Sequence, residues 1–193
     1  MLFIYLLIHC IAHIINNKTI INMEFRQMRR KRQLLPQEDS INILKQHTSG
    51  TLAVLGDGGY PYAVPISYVY SDGKLFFHSA VAGHKIDAIN ACDKASFCVI
   101  DQDNIMADQF TTFYRSVIAF GRVRIIDDDN EKLAALKILG SKYSPHREEG
   151  LNKEIGKEMP HLLMLEMTIE HLTGKESIEM TRERNGKTEH PQH

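Results

Sequence analysis

The 193-residue chain has no tryptophan, only three cysteines, and 23 basic residues against 24 acidic ones. Cys10, Cys92 and Cys98 are too scattered for a disulfide framework, and no CxxC pair signals zinc or a redox dithiol. Reduced, mostly buried thiols of a cytoplasmic protein are expected, and no metal. A net charge of -1 offers no overall attraction to nucleic acid or to an anionic membrane. Neither an HExxH pair, a GxSxG elbow, a P-loop nor a dinucleotide fingerprint occurs, which removes the common zinc, hydrolase and nucleotide chemistries.

Long hydrophobic runs are also scarce. The apolar run over residues 1–15 is shorter than the ~20 residues needed to span a bilayer. It lacks a basic leader and a small-residue cleavage site, and His9 stands where a lipoprotein box before Cys10 needs a small residue. Residues 1–22 are read as an extension upstream of a true start at Met23 or Met28, the alternative being a membrane anchor. Arg29-Arg30-Lys31-Arg32 is a lone basic run before a helical segment. It is read as a solvated arm packing on a partner subunit rather than as a nucleic-acid arm.

From Gly50 the period of the sequence changes. GTLAVLG reads as a strand closed by the Asp57-Gly58-Gly59 turn. In YPYAVPISYVY, Tyr60, Tyr62, Val64, Ile66, Tyr68 and Tyr70 share one face, and Pro61, Ala63, Pro65, Ser67 and Val69 the other. Ser71-Asp72-Gly73 turns into the strand KLFFHSA, and HKIDAINA follows as a short helix. KASFCVID is a further strand, with a loop starting at 102–104. Residues 111–126 form the longest strand, with Gly121 permitting a bend or bulge. Asp127-Asp128-Asp129 offers an N-cap to the helix EKLAALKILGSKY, which Pro145 stops. HLLMLEMTIEHLTG reads as the last strand, alternating at Leu163, Leu165, Met167 and Ile169. Residues 178–193 are expected to be a polar tail whose end, NGKTEHPQH, is mobile. Six strands with peripheral helices predict a mainly β, six-stranded barrel in one domain over 23–177.

The richest stretch is Tyr60–Lys85. Gly83 before a helix leaves backbone N–H groups open to an anion, with Lys85 adding charge and His84 a donor. Pro61 and Pro65 put their strand at an edge, where free backbone groups suit a flat polar heterocycle. His78 ends the paired strand in the same region, and by itself reads equally as an edge or core histidine. Arg115, next to Ser116, reads either as paired with a carboxylate or as a donor fork for a phosphate. Asp101 and Asp103 are expected to be solvated in a loop.

The ordered motifs MRRKRQLL, TSGTLAV, GYPYAVPISYVY, GKLFFHSAVAGHKIDAI, SFCVIDQD, YRSVIAFGRVRII and IEHLTGKES resemble the nitroimidazole-resistance group of the pyridoxamine 5′-phosphate oxidase-like, FMN-binding split-barrel superfamily. The resemblance spans Met23 to Ser177. It implies a homodimer with two flavins at the subunit interface, FMN or else FAD. It implies phosphate contacts from Gly83, His84 and Lys85, with Arg115 or Ser116 helping. The ring would rest on Pro65, Ile66 and Ser67, near His78 and Ser79, with His78 important for activity. The chain lacks the RxxLLK strand of true pyridoxamine-phosphate oxidases and carries Gly-His-Lys in place of Ser-Arg-Lys, which argues against vitamin B6 oxidation. The implied function is a flavin-dependent reductase of nitroimidazole-type or other small redox substrates. The alternative is a flavin- or haem-binding barrel without turnover.

Overall fold

In the computed structural model, described over residues 24–189, seven antiparallel strands form one sheet in the order β2-β1-β5-β6-β7-β4-β3. The strands are β1 (Ser49–Leu55), β2 (Pro61–Ser67), β3 (Val69–Ser71), β4 (Lys74–Ala80), β5 (Lys94–Met106), β6 (Thr111–Ile125) and β7 (Leu162–Glu176). Helices α1 (Gln37–Gln46), α2 (His84–Ala91), α3 (Asp129–Tyr143), α4 (Glu148–Glu158) and α5 (Ile178–Glu189) lie around it. The expected extension over 1–22 falls outside the described residues.

The expected strand count of six becomes seven because YPYAVPISYVY breaks at Tyr68. There the backbone N–H turns to the Thr48 carbonyl (3.1 Å) and the Tyr143 hydroxyl (3.0 Å). The side chain is wholly buried, packed edge-on to Phe97 at 4.7 Å. The break has a topological result. The two edge strands of the sheet, β2 and β3, are separated by this one residue, so the sheet must curl until its edges meet. No ladder joins β2 to β3 or β4. The barrel is closed by the chain and open in its hydrogen bonding, which is a split barrel.

Alternation builds the core. Leu52, Val54, Leu75, Phe77, Phe97, Val99, Val117, Ala119, Leu165 and Met167 point into the barrel, against Leu44 of α1 and Ile86 and Ile89 of α2. A second cluster lies outside the wall, where Phe76 and Met164 meet Leu136 and Leu139 of α3 and Ile155 of α4. Asp128 caps α3, its side chain accepting the Glu131 N–H at 2.8 Å, as the Asp127–Asp129 run predicts. Gly121 marks an irregularity as expected. The register shifts between Phe120 and Gly121, leaving Glu170 of β7 as the extra residue. A methyl on Gly121 would overlap the Thr168 carbonyl.

Three expectations need correction. β5 does not give way to a loop at 102–104 but continues to Met106, with a bulge between Ile100 and Gln102. Asp101, at that bulge, is not solvated: it contacts His47 at 2.8 Å and Arg115 at 3.5 Å. Nor is the polar segment after Ser177 without structure over its described residues, since Ile178–Glu189 form α5 with Met180 and Thr181 buried. The Glu176 carboxylate, fully buried, draws this helix in through Arg184 at 2.8 Å. A buried carboxylate needs such partners.

Candidate functional site

Strand β2 has a neighbour on one side only. Pro61 and Pro65 face Leu55 and Thr51 and cannot donate, so these are non-hydrogen-bonded pairs of the ladder. By the period of two, Ala63 and Ser67 share that orientation. Their N–H groups, with the carbonyls of Pro61, Ala63 and Pro65, point to the open edge. Side chains alternate the other way: Tyr62 and Ile66 pack on the barrel core, while Pro61, Ala63 and Pro65 are exposed. Ile66 therefore turns its side chain into the barrel core.

At the end of β4 the chain turns through Gly83, whose φ of 134° and ψ of 168° suit glycine, into α2. No side chain caps this helix. The N–H groups of Ile86 and Asp87 reach the Gly83 carbonyl at 2.8 and 3.2 Å, leaving those of His84 and Lys85 open. The Lys85 ammonium donates to the buried Ser79 hydroxyl at 2.9 Å. The His84 ring stacks on Tyr62 of β2, with centroids 4.1 Å apart and planes inclined by 17°. Its Nε2 also lies 3.4 Å from the Asp57 N–H in the β1–β2 turn. This stack, which periodicity alone does not reveal, fastens the helix entry to the edge strand.

His78 and Ser79 are adjacent and face opposite ways. Ser79 is buried on the inner side with Phe77, whereas His78 is exposed on the outer side. There His78 and Ser67 border a cavity of about 280 Å³ walled by Leu136, Leu139, Leu151 and Ile155 of α3 and α4. The pattern of α3 foretells a helix, but its place beside His78 comes only from folding.

Arg115 and Ser116 lie elsewhere. Along β7, Ser79 pairs with Leu163 at one end, while Arg115 and Ser116 reach Glu176 and Lys175, through β6, at the other. Arg115 contacts Glu176 at 3.2 Å, so of its two sequence readings the carboxylate partner is the one formed within the chain. Within one chain it is not brought beside Lys85.

Among the described residues no group of His, Cys, Asp and Glu could hold a metal ion, and no helix is long and apolar enough to cross a membrane. The residues that are present suit a flavin: an uncapped, lysine-flanked helix entry for a phosphate, fastened to an open strand edge with donors and acceptors for a ring.

Residues 36–176 match the pyridoxamine 5′-phosphate oxidase family. The chain belongs to that family. No curated protein matches it significantly. Solved structures of similar fold include a candidate 5-nitroimidazole antibiotic resistance protein from Bacteroides thetaiotaomicron (19% identity, 74% of this chain and 85% of that one, TM-score 0.61). A flavocytochrome from Azotobacter vinelandii gives 20% identity over 79% of this chain and 72% of that one, with a TM-score of 0.69. An FAD- and haem-binding protein from Mycobacterium smegmatis gives 24% over 76% and 73%, with a TM-score of 0.65. These likenesses establish the split-barrel fold of this family member.

Proposed function

We propose that the protein is a flavin-dependent oxidoreductase, a reductase of nitroimidazole-type or other small redox substrates. The observation that carries this reading is the junction of the open α2 entry with the bare β2 edge through the Tyr62–His84 stack. Membership of the family supports it. FMN is the proposed cofactor, with FAD as the form whose adenylate would extend beyond the same phosphate site. When bound, the flavin supplies two-electron chemistry to a substrate held against its ring. The N–H groups of His84 and Lys85 and the Lys85 ammonium hold the phosphate, and Gly83 lets it approach. The β2 edge from Pro65 to Ser67 orients the ring. Reduction of a nitro group consumes protons, and His78 is the proposed donor.

A homodimer is part of the proposal, with the partner completing each flavin site and Arg115 and Ser116 available to it. The exposed Ile100, Ile118 and Phe120 on β5 and β6, and Ile105 and Phe110 near their hairpin tip, support a second copy covering that face. A cytoplasmic location belongs to the same reading.

The test is the absorption spectrum of the purified protein before and after FMN is added, followed by anaerobic turnover of a nitroaromatic with a chemical reductant. Flavin bands and substrate loss are expected. A Soret band without flavin, or no flavin retention at all, refutes the proposal, and retention without turnover leaves a carrier.

A further inference from the structure

The cavity beside His78 has a composition unlike the phosphate site. Its floor is the split of the barrel, where Ser67 ends the open edge strand and His78 projects from β4. Its walls are mostly apolar: Leu136, Leu139 and Tyr143 from α3, Leu151 and Ile155 from α4. No lysine or arginine lines it among the described residues, and its charged members are Glu154 and Glu158. Lys157 contacts these at 3.8 and 2.7 Å, so the rim of α4 keeps a net negative charge. The volume of about 280 Å³ is at the small end for ligand sites and suits a single ring. No lysine or arginine stands in the walls to offset the desolvation of an anion.

We infer that this α3–α4 cavity is the seat of the oxidising substrate, and that it selects an uncharged, single-ring aromatic carrying a hydrogen-bond acceptor. Resting on the flavin reading above, the inference adds the site and its selectivity. Ser67 belongs both to the proposed ring-bearing edge and to the cavity floor, so a molecule in the cavity lies next to the ring. The side chains of His78 and Ser67 have no hydrogen-bonding partner among the described residues, and they face the acceptor group of the substrate, while the leucines and Ile155 sandwich its ring. Phosphorylated or carboxylated rings are turned away because no lysine or arginine meets them and Glu154 and Glu158 stand at the rim. The α3–α4 pair is thus the specificity element, and Leu139 and Ile155 set the depth of the pocket.

The experiment pairs two probes with the same ring and nitro group, 4-nitrobenzyl alcohol and 4-nitrobenzoate. Binding to the purified protein is followed by saturation-transfer NMR, with and without FMN, and FMN retention is measured separately by absorption. The alcohol is expected to bind at least tenfold more tightly than the benzoate. Leu139→Phe, which fills the cavity, should weaken the alcohol at least tenfold while FMN retention is unchanged. Ile155→Phe provides a second filling variant should the first fail to fold. Equal binding of the two probes, or an alcohol affinity untouched in a folded variant, overturns the inference. Flavin retained with cavity variants silent refutes the seat and spares the flavin reading. Alcohol binding lost in the variants of a protein that retains no flavin refutes that reading, and the seat as that of a flavin-linked substrate falls with it.

Discussion

Lys85→Met removes one positive charge and keeps the aliphatic stem. In the fold the ammonium donates to the Ser79 hydroxyl at 2.9 Å, at the mouth of an uncapped helix. A charge-assisted hydrogen bond to a phosphate contributes about 1.5–3 kcal/mol. At about 1.4 kcal/mol per tenfold, its loss corresponds to roughly 10- to 150-fold weaker FMN binding. Riboflavin has the same ring without the phosphate, so its affinity should stay within about threefold on this argument. Quenching of flavin fluorescence during titration with the flavin-free protein measures both. Lys45→Met, on the exposed face of α1, serves as the charge control. Equal weakening of FMN and riboflavin would show that Lys85 acts by shaping the fold, and no change in either would remove it from the site.

Tyr143→Phe deletes a hydroxyl that accepts the Tyr68 N–H at 3.0 Å and donates to the carbonyl of Thr48 or Tyr68. The loss should be about 1–2 kcal/mol, read as a fall in Tm of about 2–8 °C, and an unchanged melt would mean that the β2–β3 break needs no latch. Gly121→Ala pushes a methyl into the Thr168 carbonyl, which is backbone and cannot yield cheaply. A cost of about 1–3 kcal/mol should shift the urea midpoint, and a wild-type midpoint would place the bulge elsewhere. Burial by itself raises the Glu166 carboxyl, but hydrogen bonds from Arg124 (3.1 Å) and Lys74 (3.0 Å) outweigh it and hold it below the ordinary carboxylate range. Because the folded value is depressed, its contribution is present above the unfolded carboxylate value and lost as pH falls through the folded one. Glu166→Gln should therefore flatten part of the acid loss seen in thermal melts between pH 6 and about pH 3; an identical slope in the variant would contradict this.

Much of the geometry that the flavin proposal rests on is local and so was legible in the residues. A glycine before a helix, a lysine in its first turn and prolines on alternate strand positions each act through their own backbone. Hence the α2 entry, the edge position of β2, the Asp128 cap and the irregularity opposite Gly121 all follow from pattern. The misjudged segments depend on distant partners. Residues 102–104 look like a turn yet pair with β6, and the polar stretch after Ser177 becomes helical over the buried Glu176.

The amino-acid sequence by itself determined most of the elements, the family, and the local pattern from Tyr60 to Lys85 on which the flavin proposal rests. Only the tertiary structure decided which groups meet. Tyr68 carries no sign in its own pattern that it ends a strand; the break follows from Thr48, 20 positions earlier, and Tyr143, 75 positions later, both bonding it. Likewise Ser79 and His78 differ by one position and so face opposite sides of the wall, one toward Lys85 and the other toward α3 and α4. Periodicity shows that two neighbours diverge, but what stands on each side is set by where the sheet curls and which helices cover it.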